Sequence, residues 1–566
     1  MAILDNFKYD IDTPMWRQMK PTAIAHAAGS LACCDKRNDI QVDHSMYIVE
    51  SATALYRQSE RYNGPMNVGN PALAAFAVGG ASVFVPSFGI TGTMAAGCTS
   101  TKMVTATAVA PVAAGATAIA ALGLNQLVTT DTDYGYRIRI IGKASGKTEE
   151  RYIAGNTASA TPVIYLDEAL TFTPAAGDLF ELQSGSVFMV AATTTAAGQS
   201  RIYNIANNVF TNGGATGVTT ATAASAVALD ELYVPYDRVA GEGFIGDDYT
   251  YDTEATIRLS TKHCLRATAT GVSSITGQVT GGDVRVFANE YRNFQIRIVE
   301  DTVAPTAVGQ RRMIASHTGG TKDATAAVYT LGSAWAVTPS ANAKFVIENP
   351  NLIILQSAAS ATNLVYNFYN AVINNATNTI AAFTWSNTYL AAAHAGAVVA
   401  GCMMFPAYGH QPVTQTDDVR LSRHSYIYLF RGTASTLDLF DIAGGTTGSW
   451  TNNVTYTGNT ISWTAGSSGD YDPVTFLGEY TYIVEGATNR MYQFNISAPS
   501  IAAYVSLPLQ AGTAAGGQRV CVLPAMQSHV VDAATGKEDT DEDSKLAMVY
   551  VQSHLSASIY RSDIIG

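Results

Sequence analysis

One two-stranded pattern returns along this chain and limits its folds more than any other feature. An apolar, aromatic-rich strand is followed by a short polar turn and a second strand that ends in an aromatic with Asn or Asp. The clearest copy runs from Ser425 to Gly432, continues from Leu437 to Ile442, and leads to Gly448-Ser-Trp450. Three more read Tyr480 to Gly486 with Arg490 to Ile496, Val187 to Ala191 with Arg201 to Ile205, and Leu352 to Gln356 with Leu364 to Phe368. Looser copies stand near the two ends, Met46 to Glu50 with Ala54 to Arg57, and Leu546 to Val551 with Ser558 to Arg561. A twisted sheet built on such a hairpin cannot bury both faces alone, so about six copies predict radial stacking around an axis. The fold class expected is therefore all-β, a β-propeller of about six blades. The partial copies at the ends predict that the N- and C-terminal segments share its closure, which removes exposed faces. A string of independent β-sandwiches is the alternative that the same hairpins allow.

A second repeat lies between the hairpins. Thr173-Pro-Ala-Ala-Gly-Asp-Leu-Phe-Glu-Leu and Thr338-Pro-Ser-Ala-Asn-Ala-Lys-Phe-Val-Ile align without gaps. Each follows a strand with an Ile-Arg-Ile core, Ile138 to Ile140 and Ile296 to Ile298, and each leads directly into a hairpin. Two homologous β modules are thus expected within the propeller. The division predicted is 1–86 for the N-terminal segment and first blade, 87–184 for the first module, 185–261 for a blade, 262–350 for the second module, and 351–566 for the remaining blades and ring closure. Period-2 alternation with β-branched and aromatic residues supports strands throughout. Asn70 to Val78 is the best short helical candidate.

Composition narrows the function. Hydrophobic residues make up 47% of the 566, which excludes global disorder, while charged residues are only 14%. Ala, Thr, Ser, Gly and Asn fill the gap, as on a surface covered by neighbouring subunits. The formal net charge of −12 excludes tight gripping of a phosphate backbone, which needs Lys and Arg, but not a surface that lets nucleic acid slide past. No signal peptide is expected from the opening residues Met1 to Lys8. The small-residue stretch from Ala108 to Leu124 is too weakly apolar for a membrane span, so no membrane-spanning segment is expected.

No catalytic motif stands out: His-Glu-x-x-His, Gly-x-Ser-x-Gly and a phosphate-cradling Gly-rich loop are all missing from the sequence. His44 and His424 hold matching places before blade strands, which reads as a structural hydrogen bond. Asp438, Asp441 and Glu485 are candidates for the paired carboxylates of a propeller glycosidase. Asp539, Asp541 and Asp543 alternate within the acidic run 537–544, but the Gly and distal Glu of a calcium loop are missing, so a solvated loop is expected. The six cysteines form no disulfide framework and lack zinc or redox spacing; Cys33 and Cys34 are adjacent, while Cys98, Cys264, Cys402 and Cys521 stand alone. Buried free thiols in a reducing environment are expected. The 29 Tyr keep a glycan-binding surface open, although most sit inside blade strands. No enzyme, cofactor, catalytic site or metal site is predicted.

The copy from Tyr426 to Trp450 resembles the kelch-type propeller repeat. The family's Gly doublet is reduced here to Arg431-Gly432, its Tyr-Asp strand to Leu439-Phe-Asp-Ile, and Trp450 keeps the final place. Gly486 is single in the next copy, and no Trp is expected to follow the hairpins at Val187 or Leu352. In its Ala/Thr/Gly-rich, low-charge style and its inserted Thr-Pro-x-Ala modules, the whole chain resembles virion proteins of tailed bacteriophages, in particular the tail nozzle or tail tube proteins of short-tailed phages. That resemblance implies a structural virion subunit made in the host cytoplasm. It would self-associate in a ring, expected as a hexamer, dock tail adaptor and tail fibre proteins, and conduct genomic DNA as passing cargo. The alternative is a propeller that binds host glycans or decorates the capsid.

Overall fold

The computed structural model describes residues 17–21, 29–35, 45–59, 65–74, 79–85, 89–106, 137–157, 161–193, 199–206, 208–218, 220, 223–229, 265–277, 288–289, 291–320, 325–348, 350–367, 373–374, 379–380, 384–386, 390–406, 426–432, 435–472, 480–486, 488–496, 498–504, 519–523, 530–531, 538–539, 548–552 and 559–563. It is all-β and propeller-like. Five four-stranded sheets and one five-stranded sheet, each built around one of the six hairpins, account for much of it.

The first sheet orders Leu31–Cys34, Ser45–Ser51, Ala54–Ser59 and Met66–Gly69, all antiparallel. The fourth repeats the plan with Met403–Pro406, Tyr426–Phe430, Leu437–Asp441 and Ser449–Val454. The fifth uses Ser468–Tyr471, Tyr480–Val484, Met491–Asn495 and Ser500–Ala503, with Thr457–Gly458 added in parallel. In the sixth, Arg519–Leu523, Met548–Gln552 and Ile559–Asp563 come from the C-terminal part, and Arg17–Gln18 from the N-terminal part supplies the last strand. The two chain ends are therefore hydrogen bonded in one sheet.

The second and third sheets are interrupted. Ala81–Val85 pairs with Ser186–Val190 across the first module, and Ser200–Asn204 and Val209–Gly214 complete that sheet. Ala224–Leu229 pairs with Leu352–Ser357 across the second module, followed by Leu364–Asn367 and Thr384–Ser386. Each module thus sits between the first and second strands of a sheet. The strands Ala81–Val85 and Ala224–Leu229 pair with the hairpin that follows the module.

The first strands of the six sheets neighbour one another in sequence order, and Arg519–Leu523 returns to Leu31–Cys34 to close the cycle. Aromatic side chains fill the wedges between sheets. Phe188 lies against Tyr366 and Trp385, while Phe430 meets Trp463 and Phe494 edge-on. Such offset and edge-to-face contacts add to the area that these rings bury.

The modules share one 12-stranded sheet, joined where Lys147 pairs with Glu300. Their internal registers coincide. In the first module Ile140 faces Phe180 and Ile138 faces Leu182; in the second, Ile298 faces Phe345 and Ile296 faces Ile347. All eight side chains are buried, because a one-residue slip would turn each apolar set to the other face.

Two local readings change. Of the helical candidate 70–78, residues 70–74 form no helix and 75–78 lie outside the described residues: the Asn70 side chain accepts the N–H of Ala72, whose φ of 50° lies in the left-handed region, and Asx-type turns of this kind compete with helix formation. The hairpin at Leu352 does have its Trp, since Trp385 pairs with Tyr366 as Trp450 pairs with Phe440. The glycine that ends the first strand of these hairpins has a steric cause. A Cβ at Gly432 would lie 2.5 Å from the Val399 carbonyl, and one at Gly486 would lie 2.4 Å from that of Ala465.

Candidate functional site

The six first strands converge, and small side chains alternate there with larger ones such as Phe84, Met403 and Met404. Ala32, Ala81, Ala224, Ala226, Ser468 and Gly469 border an axial cavity of about 160 Å³. Each first strand has one edge without a ladder partner, and neighbouring side chains satisfy part of it. Ser225 Oγ accepts the N–H of Met404 at 2.9 Å, Ser468 Oγ that of Val520 at 3.4 Å, and Asp470 Oδ2 that of Val522 at 2.6 Å. Backbone-to-side-chain bonds thus stitch the third sheet to the fourth and the fifth to the sixth.

Asp470 is the one carboxylate among the described residues that line this cavity, and Arg519 is the one cation. The thiols of Cys34 and Cys521 come close to the Asp470 carboxylate, with the three ligand atoms all within 4.8 Å of one another. Cys34 and Cys521 are buried, and Asp470 is half-buried. Burial pushes the Cys402 thiol up to about 12, with Arg519 opposing it. Cysteine spacing along the chain gave no sign of this grouping, because it draws on the first, fifth and sixth sheets.

The expected carboxylates do not gather here, since Asp438, Asp441 and Glu485 are not among the cavity-lining residues. Asp438 is completely buried under its own partners. It accepts two bonds from the Arg431 guanidinium, one from His394 Nε2 at 2.7 Å and one from the Asn453 N–H at 2.8 Å. Burial alone would raise its carboxyl, but the bonds from His394, Arg431 and Asn453 hold it below the ordinary range. His394 also meets Trp450 edge-on at 4.7 Å, so the group ties the loop at 394 to the outer strands of the fourth sheet. Asp441 accepts the N–H of Ala443 at 2.9 Å, and burial raises its carboxyl. Glu485 takes hydrogen bonds from Thr488 and Tyr492 within its own hairpin. Each of the three carboxylates is thus engaged by neighbouring groups. His44, His424, Cys264, Asp541, Asp543 and the segment 108–124 lie outside the described residues, and the side chain of Asp539 does as well.

A larger charged group sits where the modules meet. Arg139 binds Glu150 and Glu181, the latter at 3.0 Å. Arg311, from the second module, forks onto both oxygens of Glu181 at 2.8 Å, and Arg297 binds Glu348 at 3.0 Å. All six side chains are nearly inaccessible, and three guanidinium groups balance three carboxylates. Burial alone would raise the Glu181 carboxyl, but Arg311, then Arg139 and Arg297, overcome it and bring it down to about 2. The same opposition leaves Glu348 well below the carboxylate range, held there by Arg297 and Arg311. A buried pair gains little net stability over apolar packing, yet loses much when one partner is removed.

Tyr residues of the blade strands are largely enclosed, including Tyr47, Tyr203, Tyr366, Tyr428 and Tyr482. Among the described residues, the exposed large apolar side chains are Met66, Tyr165, Val272, Val303 and Val328, and all but Met66 are on the modules. Among the described residues no helix is long and apolar enough to cross a membrane.

No protein-family model matches the chain, and no curated protein matches it. Similar solved structures include a putative 6-phosphogluconolactonase from Bacteroides uniformis, 10% identical, covering 75% of this chain and 99% of that one with a TM-score of 0.21. Another is an auxiliary nutrient binding protein from Bacteroides ovatus, 8% identical over 86% of this chain and 97% of its own, also at 0.21. A protein from Lactobacillus plantarum is 10% identical over 75% and 99%, at 0.22. Likeness this slight carries no conclusion about activity.

Proposed function

We propose that the chain is a structural scaffold: a six-bladed propeller with a two-module bracket, serving as one subunit of a ring or tube in a phage tail, of the nozzle kind. The observation that carries the scaffold reading is the bracket itself. Two homologous modules, inserted in adjacent sheets, are fused into one 12-stranded sheet over a buried, charge-balanced junction. The bracket carries the exposed apolar side chains Tyr165, Val272, Val303 and Val328, which a subunit contact can cover. The phage assignment rests on the sequence style alone.

Any DNA path runs between copies rather than through the propeller, because an axial cavity of about 160 Å³ does not admit a duplex. A ring of six copies would multiply the net charge of −12 sixfold, and an acidic lumen would let DNA pass without arrest. The test is electron microscopy with light scattering on the purified chain, beside its Tyr165→Ser and Val272→Ser variants. Rings that weaken in these variants, with each variant's own stability within about 0.5 kcal/mol of the parent, support the proposal. A strict monomer that binds glycans would replace it with the receptor-binding reading.

A further inference from the structure

We propose that Cys34, Cys521 and Asp470 form a binding site for one soft divalent cation of the zinc type, which pins the first sheet to the last. The ligands come from three successive first strands, Leu31–Cys34, Arg519–Leu523 and Ser468–Tyr471. Their ligand atoms lie within 4.8 Å of one another. A tetrahedral ion bonded to sulfur at about 2.3 Å sets its ligands roughly 3.8 Å apart, so the three groups need to draw in by about 1 Å at most. Two thiols with one carboxylate suit zinc, whereas calcium and magnesium take oxygen ligands.

The surroundings favour such an ion. Asp470 is already aimed, because Oδ2 accepts the N–H of Val522 and Oδ1 that of Tyr471 at 3.0 Å. Outer bonds of this kind orient metal ligands. Cys34 and Cys521 are held in paired strands and packed by Met46, Ile48 and Leu523. Cys34 and Asp470 open onto the axial cavity, from which a water can supply the fourth ligand. Two thiolates and a carboxylate around a dication leave one negative charge. Arg519 lines the same cavity and lies on the same strand face as Cys521, two residues away, so its guanidinium balances that charge. Loading is a simple exchange: the ion enters, both thiols release their protons to solvent, and no redox partner is needed. Binding therefore weakens as pH falls.

Cys34 and Cys521 belong to opposite ends of the chain, in the two sheets that meet where the cycle closes. A shared ion there ties the closure without a disulfide, which suits a reducing compartment.

The test uses the full chain, stripped of metal, under a non-chelating phosphine reductant, and titrated with cobalt(II) alone. The expected result is one equivalent bound with a two-thiolate charge-transfer band and the intense visible bands of tetrahedral cobalt, all displaced by one equivalent of zinc. Cys34→Ser or Cys521→Ser should weaken binding by roughly 100-fold, Asp470→Asn by roughly tenfold, and Cys98→Ser not at all. The absence of a charge-transfer band in the folded chain overturns the proposal, and so does its survival in the Cys34→Ser/Cys521→Ser double variant. Should the serine variants fail to fold, iodoacetamide mapping of the unmodified chain decides. With mild urea present so that both buried thiols of the metal-free chain react, zinc protection confined to Cys34 and Cys521 supports the site, and equal alkylation with and without zinc overturns it.

Discussion

In the first module the N–H of Ala175 is bound by Asp178, three residues further along the same turn. In the second module the matching N–H, that of Ser340, is bound by Asp301 from the strand end across the turn. Both carboxylates are buried and both gather the surrounding loop. Asp178 also takes the N–H groups of Lys143 and Ala144, and Asp301 those of Val303 and Ala304 with the Ser340 hydroxyl. The Ile-Arg-Ile strand and its Phe-bearing partner meanwhile keep one register in both copies. The difference teaches which constraint is strict. Apolar alternation cannot slip without exposing a core, whereas a turn needs only a carboxylate that reaches it, from whichever side.

The modules also differ in charge at equivalent places. Arg139 and Arg297 correspond, but the partner strand carries Glu150 in the first copy and Arg311 in the second. The excess Arg311 is matched by Glu181 of the other module, so neither copy is neutral at this junction without its neighbour. Glu348→Ala attacks this dependence most directly. It leaves Arg297 and Arg311 short of a buried carboxylate and should cost about 3–5 kcal/mol. Glu181→Ala should cost a similar amount, and the double variant less than their sum, by about 0.5–3 kcal/mol, because both act through Arg311. Urea denaturation of the four proteins reads the cycle; strict additivity would mean that the modules are held independently.

Acid probes the same junction more gently. The Glu181 carboxyl is depressed in the folded chain from 4.5 to about 2, so its contribution is complete above pH 4.5 and is lost as the pH falls towards 2. The melting temperature of the parent should fall through that window, and that of Glu181→Gln should fall less steeply. Parallel curves would remove Glu181 from the account.

The turn carboxylates give the smallest effect. Asp301→Ala should cost about 1–3 kcal/mol and speed amide exchange at Ser340. Position 343 corresponds to Asp178 of the first module, so adding Ala343→Asp to Asp301→Ala should recover part of the loss. Unchanged exchange at Ser340 in Asp301→Ala would show that the turn stands without its carboxylate.

Much of this molecule was legible before its structure. All six hairpins appear as the paired middle strands of six sheets, since a hairpin is a local object whose alternation and turn residues lie side by side. Trp385 was missed because a long connection separates it from Asn367, the end of its partner strand. Asp438 was legible only as a carboxylate; that His394, Arg431 and Asn453 surround it depends on three separate segments.

The sequence by itself determined the β class, the hairpin period and the gapless alignment of the two modules, because each follows from the pattern of neighbouring residues. Only the tertiary structure decided the first strands, the shared module sheet and the cluster of Cys34, Asp470 and Cys521. Strands such as Ala224–Leu229 and Ser468–Tyr471 carry small side chains at a crowded axis and show no amphipathic face to read. Charges such as Arg311 and Glu181 find each other across 130 residues, and thiols at opposite ends meet only when the cycle closes. Such contacts depend on how sheets are placed in space, and spacing along the chain does not encode that placement.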